Sequence, residues 1–290
     1  MLNGQRLTLN NIFSGSMFYG WRIVLVLSLT RFVASGVGIN ARSLLLLPLE
    51  KDLGVTRAEI SLMFTVESLV IAATAPLGGW LMDRYGSRRV MVVGLLISTC
   101  GFFLLAIAQS LWQVIIIIAL PLGVAYNWSI LNAGAPILNN WFNLKKAQAL
   151  ALLSVFHGAG AALLPIMALA ISSLGWRWAM AIGGVAFITA ALPSMFFTRS
   201  TPEEMGLTPD GIPSIETQAT SGSDIGGMAL NEAMRTAFFW VTGVGTACML
   251  FANMSVIAHF VAILVSKGSS ESTGATLLSI QLVLSVPYVI

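Results

Sequence analysis

Long apolar stretches separated by short polar segments run along the whole chain. Most of them have about the 20 residues that a helix needs to cross the hydrocarbon core of a bilayer. The pattern therefore predicts an all-α membrane protein. The predicted spans are residues 22–48, 59–82, 88–109, 112–138, 147–172, 176–198, 236–266 and 273–290.

One polar segment, between Arg199 and Glu232, differs from the short links between the other spans. It begins RSTPEEMGLTPDG, is rich in Pro, Gly, Ser and Thr, and is acidic enough to favour water over lipid. We predict an N-terminal six-helix bundle at 1–198, a cytoplasmic central loop at 199–235 and the start of a second bundle at 236–290. Because the last apolar run ends at Ile290 without a polar or basic flank, we expect the sequence to be truncated.

Composition excludes a water-soluble domain. Hydrophobic residues make up 57% of the 290 residues and charged residues 9%, with a mean hydropathy of +0.86. Soluble domains carry about 25% charged residues. A soluble surface cannot be built from so few charges, so the lipid bilayer is the predicted environment.

The basic residues are distributed unequally between the two sides of the predicted membrane. With the N-terminus inside, the inner segments hold Arg6, Arg22, Arg84, Arg88, Arg89, Lys145, Lys146, Arg199 and Arg235. The outer loops hold Lys51, Arg57, Arg177 and Lys267. Because Lys and Arg accumulate in cytoplasmic loops, we predict a cytoplasmic N-terminus in a bacterial inner membrane, and no nucleic-acid partner is needed to explain the basic clusters.

The segment GWLMDRYGSRR, between the second and third spans, is the most informative motif in the chain. Its key positions are Gly79, Asp83, Arg84, Gly86, Arg88 and Arg89. Gly79 is expected to let two helices approach closely, Gly86 to permit a tight turn, and Asp83 to lie where a helix N-terminus stabilises negative charge. The segment resembles the signature loop of the major facilitator superfamily, and a loop so built can latch two helix bundles by ion pairs that break as the bundles rock.

The resemblance extends over nearly the whole chain. It includes FYGWRIVL, TRAEISL, SLWQ, NNWFNLKKAQALAL and LGWRWAM near the starts of spans, and RSTPEEMGLTPDG in the central loop. Together these segments look like the branch that contains bacterial oxalate/formate antiporters and monocarboxylate-porter-like proteins. The resemblance implies a major-facilitator-type bundle with two six-helix halves and alternating access around a midplane site. This chain would supply the first half and about two helices of the second.

Two arginines lie inside the first predicted span, where a charge costs roughly 2.5–3.5 kcal/mol to insert. Arg42 follows Arg31 by eleven residues, which is three helical turns within about 20°, so both are expected to point from one face. Ser35 and Gly38 share that face. We predict a strip that binds an anionic substrate through a guanidinium, whereas the alternatives are that the arginines snorkel to an interface or form structural ion pairs.

Glu67 of the second span is expected at the same depth as Arg42. Each residue lies eight positions from the outer end of its span, and the two spans run antiparallel. An ion pair would offset much of the cost of burying either charge. The alternative is that Glu67 carries a proton during transport.

Three further polar residues are candidates for substrate binding. Asn127 and Asn132 in the fourth span form a polar and aromatic cluster with Tyr126 and Trp128, which can hydrogen-bond a substrate or bridge helices. His157 in the fifth span is the third candidate, with packing between helices as the alternative. The fourth span lacks the arginine that many superfamily members carry there, so a proton-coupling role is not inferred from that position.

The sequence favours a carrier of a small organic anion that is coupled to an ion gradient or a counter-substrate. No catalytic residues, metal site or cofactor are predicted, because the chain has no GxxxxGK[ST] or HExxH motif and its two cysteines show no CxxC spacing. The alternatives are an exporter of drugs or neutral metabolites, an intramembrane enzyme, and a half-protein that is inactive alone. We expect a monomer.

Overall fold

The computed structural model describes residues 18–211, 230–268, 273, 274, 276–278 and 280. Residues 18–211 belong to one compact unit, and the described residues from Leu230 to Ile280 belong to a second. Among the described residues, six helical stretches are long and apolar enough to cross a membrane, and we number them as spans one to six. They are Tyr19–Leu53, Ala58–Tyr85, Ser87–Ala106, Leu111–Trp141, Lys146–Leu174 and Trp176–Phe197.

These six spans coincide with the first six predicted ones, and their ends differ by a few residues. The α-helical segments of the described chain are Tyr19–Val33, Leu46–Leu53, Arg57–Tyr85, Ser87–Ala106, Leu111–Ala119, Gly134–Trp141, Lys146–Ala159, Leu164–Leu174, Trp176–Phe197, Leu230–Ala233 and Ala237–Ser266. The prediction of an all-α helix bundle is therefore confirmed.

Three spans contain turns that are not α-helical. These turns are the π-helical Ala34–Ile39 and 3-10 Asn40–Leu45 of the first span, the π-helical Leu120–Val124 and Asn127–Asn132 of the fourth, and the 3-10 Gly160–Leu163 of the fifth. Such turns shift the backbone hydrogen-bond register and are frequent at functional sites. Each of the three interrupted spans contributes a residue to the candidate site.

The first span contacts the fifth and sixth spans, and the second contacts the fourth. The first and fifth spans approach each other closely at Gly36 and Gly160. A Cβ atom at Gly36 would lie 2.4 Å from the carbonyl oxygen of Gly160, and one at Gly160 would lie 2.3 Å from the carbonyl oxygen of Phe32. Because lipid gives helices no hydrophobic reason to associate, such small-residue contacts and polar bonds hold the bundle together.

Large apolar side chains remain exposed on the outside of all six spans, with Leu69, Ile166 and Trp178 among the most exposed. In water this would be an aggregating surface, whereas in a bilayer it lies against acyl chains. Backbone polar groups are satisfied inside each helix, which is the condition for a chain that crosses lipid.

The segment 199–211, which opens the predicted central loop, belongs to the first compact unit. The indole N–H of Trp141 donates to the carbonyl of Arg199 at 3.0 Å. The carboxylate of Asp210 accepts from the backbone N–H groups of Asn143 and Leu144, both at 2.8 Å. These N–H groups precede the helix that begins at Lys146, so Asp210 places negative charge at a helix N-terminus.

In the second unit the long helix Ala237–Ser266 matches the predicted seventh span. Its start is fixed by the indole N–H of Trp240, which donates to the carbonyl of Met234 at 2.9 Å. The predicted eighth span, 273–290, lies largely outside the described residues. The domain boundaries at 198 and 235 stay predictions.

Candidate functional site

Arg31 reaches from the first span to the backbone of the fourth. Its Nε donates to the carbonyl of Ile130 at 2.9 Å and its Nη2 to the carbonyl of Leu131 at 2.7 Å. Both carbonyls belong to the π-helical turn Asn127–Asn132. No acidic side chain in the described part of the chain pairs with Arg31, so its positive charge is met only by neutral dipoles.

Arg42 also points toward the fourth span, but it meets a charge as well. Its guanidinium forms an ion pair with the carboxylate of Glu67 and donates to the carbonyl of Leu122. Arg42 is 7% exposed and Glu67 8%. The structure therefore joins the first, second and fourth spans through a buried ion pair, which is one of the two alternatives that the sequence left open for Glu67.

Tyr126 of the fourth span belongs to the polar and aromatic cluster that the sequence predicts around Asn127 and Asn132. Its ring contacts Gly38, where a Cβ atom would lie 3.2 Å from Cε2. Its hydroxyl is buried and has no hydrogen-bond partner among the described residues. It lies within electrostatic range of both Arg31 and Arg42. The direction of the Tyr126 side chain toward Gly38 could not be predicted, because the sequence does not reveal the π-helical turns on either side of it.

His157 of the fifth span completes the cluster. Its imidazole is half-buried and lies within electrostatic range of Arg31, and its Nδ1 has no hydrogen-bond partner in the described part of the chain. The structure thus brings Arg31 and His157 together from the first and fifth spans, although 126 positions separate them in the sequence.

The two asparagines contact each other and lie on one helix. The amide nitrogen of Asn132 donates to the amide oxygen of Asn127 at 2.7 Å, five residues apart across the π-helical turn. Asn132 is exposed and Asn127 half-buried. Their mutual hydrogen bond stabilises a turn of the fourth span, and neither asparagine makes a hydrogen bond to another described span.

In the signature loop, the structure does not support the predicted role of Gly79 in helix packing. A Cβ atom at Gly79 would meet no described atom within 4 Å, so the expected close approach is not made there. It is made by Gly78, where a Cβ atom would lie 2.5 Å from Nε1 of Trp128. The predicted motif was displaced by one residue, because a single helical position turns the side chain by about 100°.

The turn at Gly86 agrees with its expected role. Gly86 has a φ of +85°, a conformation that residues with a Cβ atom rarely adopt, and it joins the second span directly to the third. Asp83 lies exposed in the last turn of the second span, and the described part of the chain shows no hydrogen bond from the third span's N–H groups to it. The expected stabilisation of Asp83 by a helix N-terminus is therefore absent there.

The three loop arginines have different surroundings. The guanidinium of Arg84 lies 5.2 Å from the ring of Trp80 and 5.7 Å from that of Tyr85. Arg88 is half-buried and its Nη2 lies 3.5 Å from the carbonyl of Met195 in the sixth span. Arg89 is exposed. Positive charge thus covers one end of the second and third spans.

No group of three or more His, Cys, Asp or Glu side chains in the described part of the chain is arranged to hold a metal ion. Cys100 and Cys248 are free and exposed. The prediction that the chain needs no cofactor stays a prediction.

Comparisons with known proteins agree with the helix-bundle fold. A sequence model of the family described as Major Facilitator Superfamily matches residues 19–290. A solved structure, described as a crystal structure of a POT family transporter in complex with 5-aminolevulinic acid, aligns with a TM-score of 0.52 and 14% identity. The alignment covers 93% of this chain and 51% of the chain in the solved structure. This likeness concerns the fold alone.

Three curated relatives match parts of the chain. Membrane sensor protein UhpC of Salmonella typhimurium is 27% identical over 54% of this chain and 35% of its own length. The probable sulfoacetate transporter SauU of Cupriavidus necator is 25% identical over 54% of this chain and 36% of its own. Monocarboxylate transporter 11 of Homo sapiens is 31% identical over 39% of this chain and 24% of its own length. The chain thus aligns with about a third of the length of these relatives or less.

Proposed function

The chain belongs to the Major Facilitator Superfamily and is a multi-pass integral membrane protein, and from this premise we propose that it is a secondary active transporter of a small organic anion. Transport proceeds by alternating access, with the substrate bound near the bilayer midplane between two six-helix halves. Residues 1–198 form the first half, and an ion gradient or a counter-substrate drives the movement.

The observation that carries this proposal is that Arg31, inside a membrane span, has no acidic partner among the described residues. A guanidinium inside a membrane span is costly unless it is paired or serves a water-filled path. A guanidinium is protonated at neutral pH, and in the described part of the chain the hydrogen bonds of Arg31 go to carbonyl groups, so its charge has no counter-ion there. A planar guanidinium matches a carboxylate or a sulfonate in geometry and charge, so an organic anion is the natural counter-ion.

Two neighbouring polar groups support the same site. The hydroxyl of Tyr126 and Nδ1 of His157 lack hydrogen-bond partners among the described residues, and both side chains lie within electrostatic range of Arg31. Leaving buried polar groups without partners is unfavourable, and an anion with two or more oxygens would satisfy them. Asn127 and Asn132 act less directly, by stabilising the turn whose carbonyls orient Arg31.

Arg42 and Glu67 have a different role in this proposal. Each neutralises the other, and the pair is almost fully buried, so Arg42 holds the first, second and fourth spans together without offering a free charge. Protonation of Glu67 would break the pair and release Arg42, which is a route by which a proton could drive transport. A transport rate that is independent of pH would exclude that coupling.

The relatives support an organic anion as the cargo. One has sulfoacetate in its name and another monocarboxylate, and both compounds carry the charge that Arg31 would bind. We further propose that the basic end of the second and third spans faces the cytoplasm, because that orientation places most Lys and Arg residues inside. A bacterial inner membrane is the proposed location.

A second candidate is a receptor that binds an anion without moving it. The relative UhpC is described as a membrane sensor, and it matches a similar share of the chain as the transporters do. Binding of an anion without its accumulation inside vesicles would favour this candidate. Uptake of a neutral compound that is insensitive to changes at Arg31 would instead favour an exporter of drugs or neutral metabolites.

The test uses radiolabelled oxalate, lactate and sulfoacetate with the 290-residue chain in proteoliposomes. Binding is measured first and uptake second, for the wild type, Arg31→Gln and Arg31→Lys. Loss of two charge-assisted hydrogen bonds to the anion predicts roughly a hundredfold or more weaker binding for Arg31→Gln. Arg31→Lys keeps the charge but loses the fork geometry, so intermediate binding is expected.

Arg22→Gln is the matched control, because Arg22 is exposed nine residues earlier on the same span and belongs to no part of the site. It should bind each probe as the wild type does. Equal binding by the wild type and Arg31→Gln, with both proteins folded, would remove Arg31 from the site.

A further inference from the structure

A groove on the outside of the bundle is separate from the arginine cluster. It has a volume of about 520 Å³ and lies between the end of the second span and the start of the third, with the fourth span as its floor. Val93, Ile97 and Leu120 line it and are 55%, 45% and 50% exposed, so its open side faces outward. The lining is apolar over most of its length.

One end of the groove differs from the rest. Arg89 and Tyr85 line it where the second span ends and the third begins. The neighbouring loop adds Arg84 and Arg88, against one acidic residue, Asp83. From Arg89 to Ile97 the third span rises about 12 Å, which is the depth of roughly half a bilayer core. The groove therefore runs from a basic, aromatic end into the hydrocarbon region.

We propose that this groove binds an anionic phospholipid of the surrounding bilayer. One acyl chain lies along Val93, Ile97 and Leu120, and the phosphate group meets the guanidinium of Arg89. A tyrosine at the same level suits the boundary between headgroups and acyl chains. Basic clusters at membrane-span ends attract anionic lipids, and an apolar groove beside such a cluster selects a ligand with both parts.

The charge pattern distinguishes this occupant from others. A water-soluble anion would gain nothing from an apolar groove, and a zwitterionic lipid would gain little from the arginines. A helix of the same chain or a second copy would bury the exposed aliphatic side chains equally well, but would need an acidic partner for Arg89. The proposal does not depend on which substrate the protein carries.

Trp128 lines the groove, so its fluorescence can report a lipid that binds there. Bromine on a lipid acyl chain quenches the fluorescence of a tryptophan that it contacts. The 290-residue chain is reconstituted in phosphatidylcholine that contains a small fraction of brominated phosphatidylglycerol or, separately, brominated phosphatidylcholine. The contribution of Trp128 is obtained by subtracting the signal of Trp128→Phe.

The expected result is stronger quenching of Trp128 by the brominated phosphatidylglycerol than by the brominated phosphatidylcholine. Arg89→Gln should reduce this preference about fivefold, the effect of one basic residue at a membrane surface. Val93→Phe should reduce quenching by filling the groove. Arg22→Gln and Leu96→Phe are the controls, since both residues are exposed and outside the groove, and both should leave the preference unchanged.

Two outcomes would overturn the proposal. Equal quenching by the two lipids would mean that the groove accepts acyl chains without selecting an anionic headgroup. Absence of quenching by either lipid would mean that protein covers the groove.

Discussion

Arg31 and Arg42 lie on the same span and point toward the same neighbouring span, yet their charges are compensated in different ways. Arg42 forms an ion pair with the carboxylate of Glu67, whereas the hydrogen bonds of Arg31 to the described residues go to the carbonyls of a π-helical turn. In an ion pair the two charges compensate each other, and the contact holds the two side chains in place. A guanidinium held by carbonyls keeps its charge and can still attract an anion, so the comparison separates a structural arginine from a binding one.

The largest effect is expected from removing one charge of the buried pair. Glu67→Leu leaves Arg42 charged and buried without its counter-ion, and such changes cost about 3–5 kcal/mol. Unfolding by denaturant in mixed micelles measures the loss. The double variant Arg42→Leu, Glu67→Leu removes both charges and should be more stable than Glu67→Leu alone. A double variant as unstable as the sum of the two single variants would contradict a pairwise compensation.

A smaller effect is expected at Arg31. Arg31→Met removes two hydrogen bonds from a charged donor, worth about 1.5–3 kcal/mol each. It also removes a charge whose insertion costs roughly 2.5–3.5 kcal/mol, so the expected net loss of unfolding free energy is about 1–3 kcal/mol. The loss is smaller than for Glu67→Leu because no buried charge is left behind. The same unfolding measurement applies. If Arg31→Met were the more damaging variant, Arg31 would be the structural residue and the assignment of roles would be reversed.

The two arginines also differ in how far sequence reasoning could reach. The pair of Arg42 and Glu67 could be predicted because the two residues lie on consecutive antiparallel spans. In such a hairpin, residues at equal distances from the connecting loop lie at similar depths in the membrane. The partners of Arg31 lie about 100 residues away and are backbone atoms. Every residue has a backbone carbonyl, so the sequence does not indicate which carbonyls will accept a hydrogen bond from Arg31. The π-helical turn that exposes these two carbonyls depends on tertiary packing.

The same distinction applies to the rest of the fold. Hydropathy predicted the six spans, because crossing lipid requires length and apolarity and little else. The motif predicted the turn at Gly86 but selected Gly79 where Gly78 makes the helix contact, since the pattern does not fix the rotation of a helix. The cap by Asp210 was missed, because its partners lie more than 60 residues earlier in the chain.

A packing change tests whether the region around Arg31 is held by charge or by close backbone approach. Gly160→Ala places a Cβ atom 2.3 Å from the carbonyl oxygen of Phe32, so the first and fifth spans must separate. Overpacking of this kind costs about 1–3 kcal/mol. Gly79→Ala is the matched control, since its Cβ atom would meet no described atom within 4 Å, and its effect should stay within about 0.5 kcal/mol. Thermal unfolding in detergent of both variants decides the question, and equal losses would contradict the close approach.

Asp210 extends the comparison to a charge outside the hydrocarbon region. Like Arg31 it is compensated by backbone groups, but its partners are N–H groups at a helix N-terminus, and it lies outside the six spans. Losing such a cap costs about 1 kcal/mol, the smallest effect expected here. Asp210 has a φ of +59°, so Asp210→Gly is the appropriate variant, because it removes the side chain without adding backbone strain. Asp210→Asn keeps an oxygen acceptor and loses only the charge. If Asn restores most of the stability that Gly loses, hydrogen bonding dominates at this cap; if it restores none, the charge dominates, as we propose for the anion that meets Arg31.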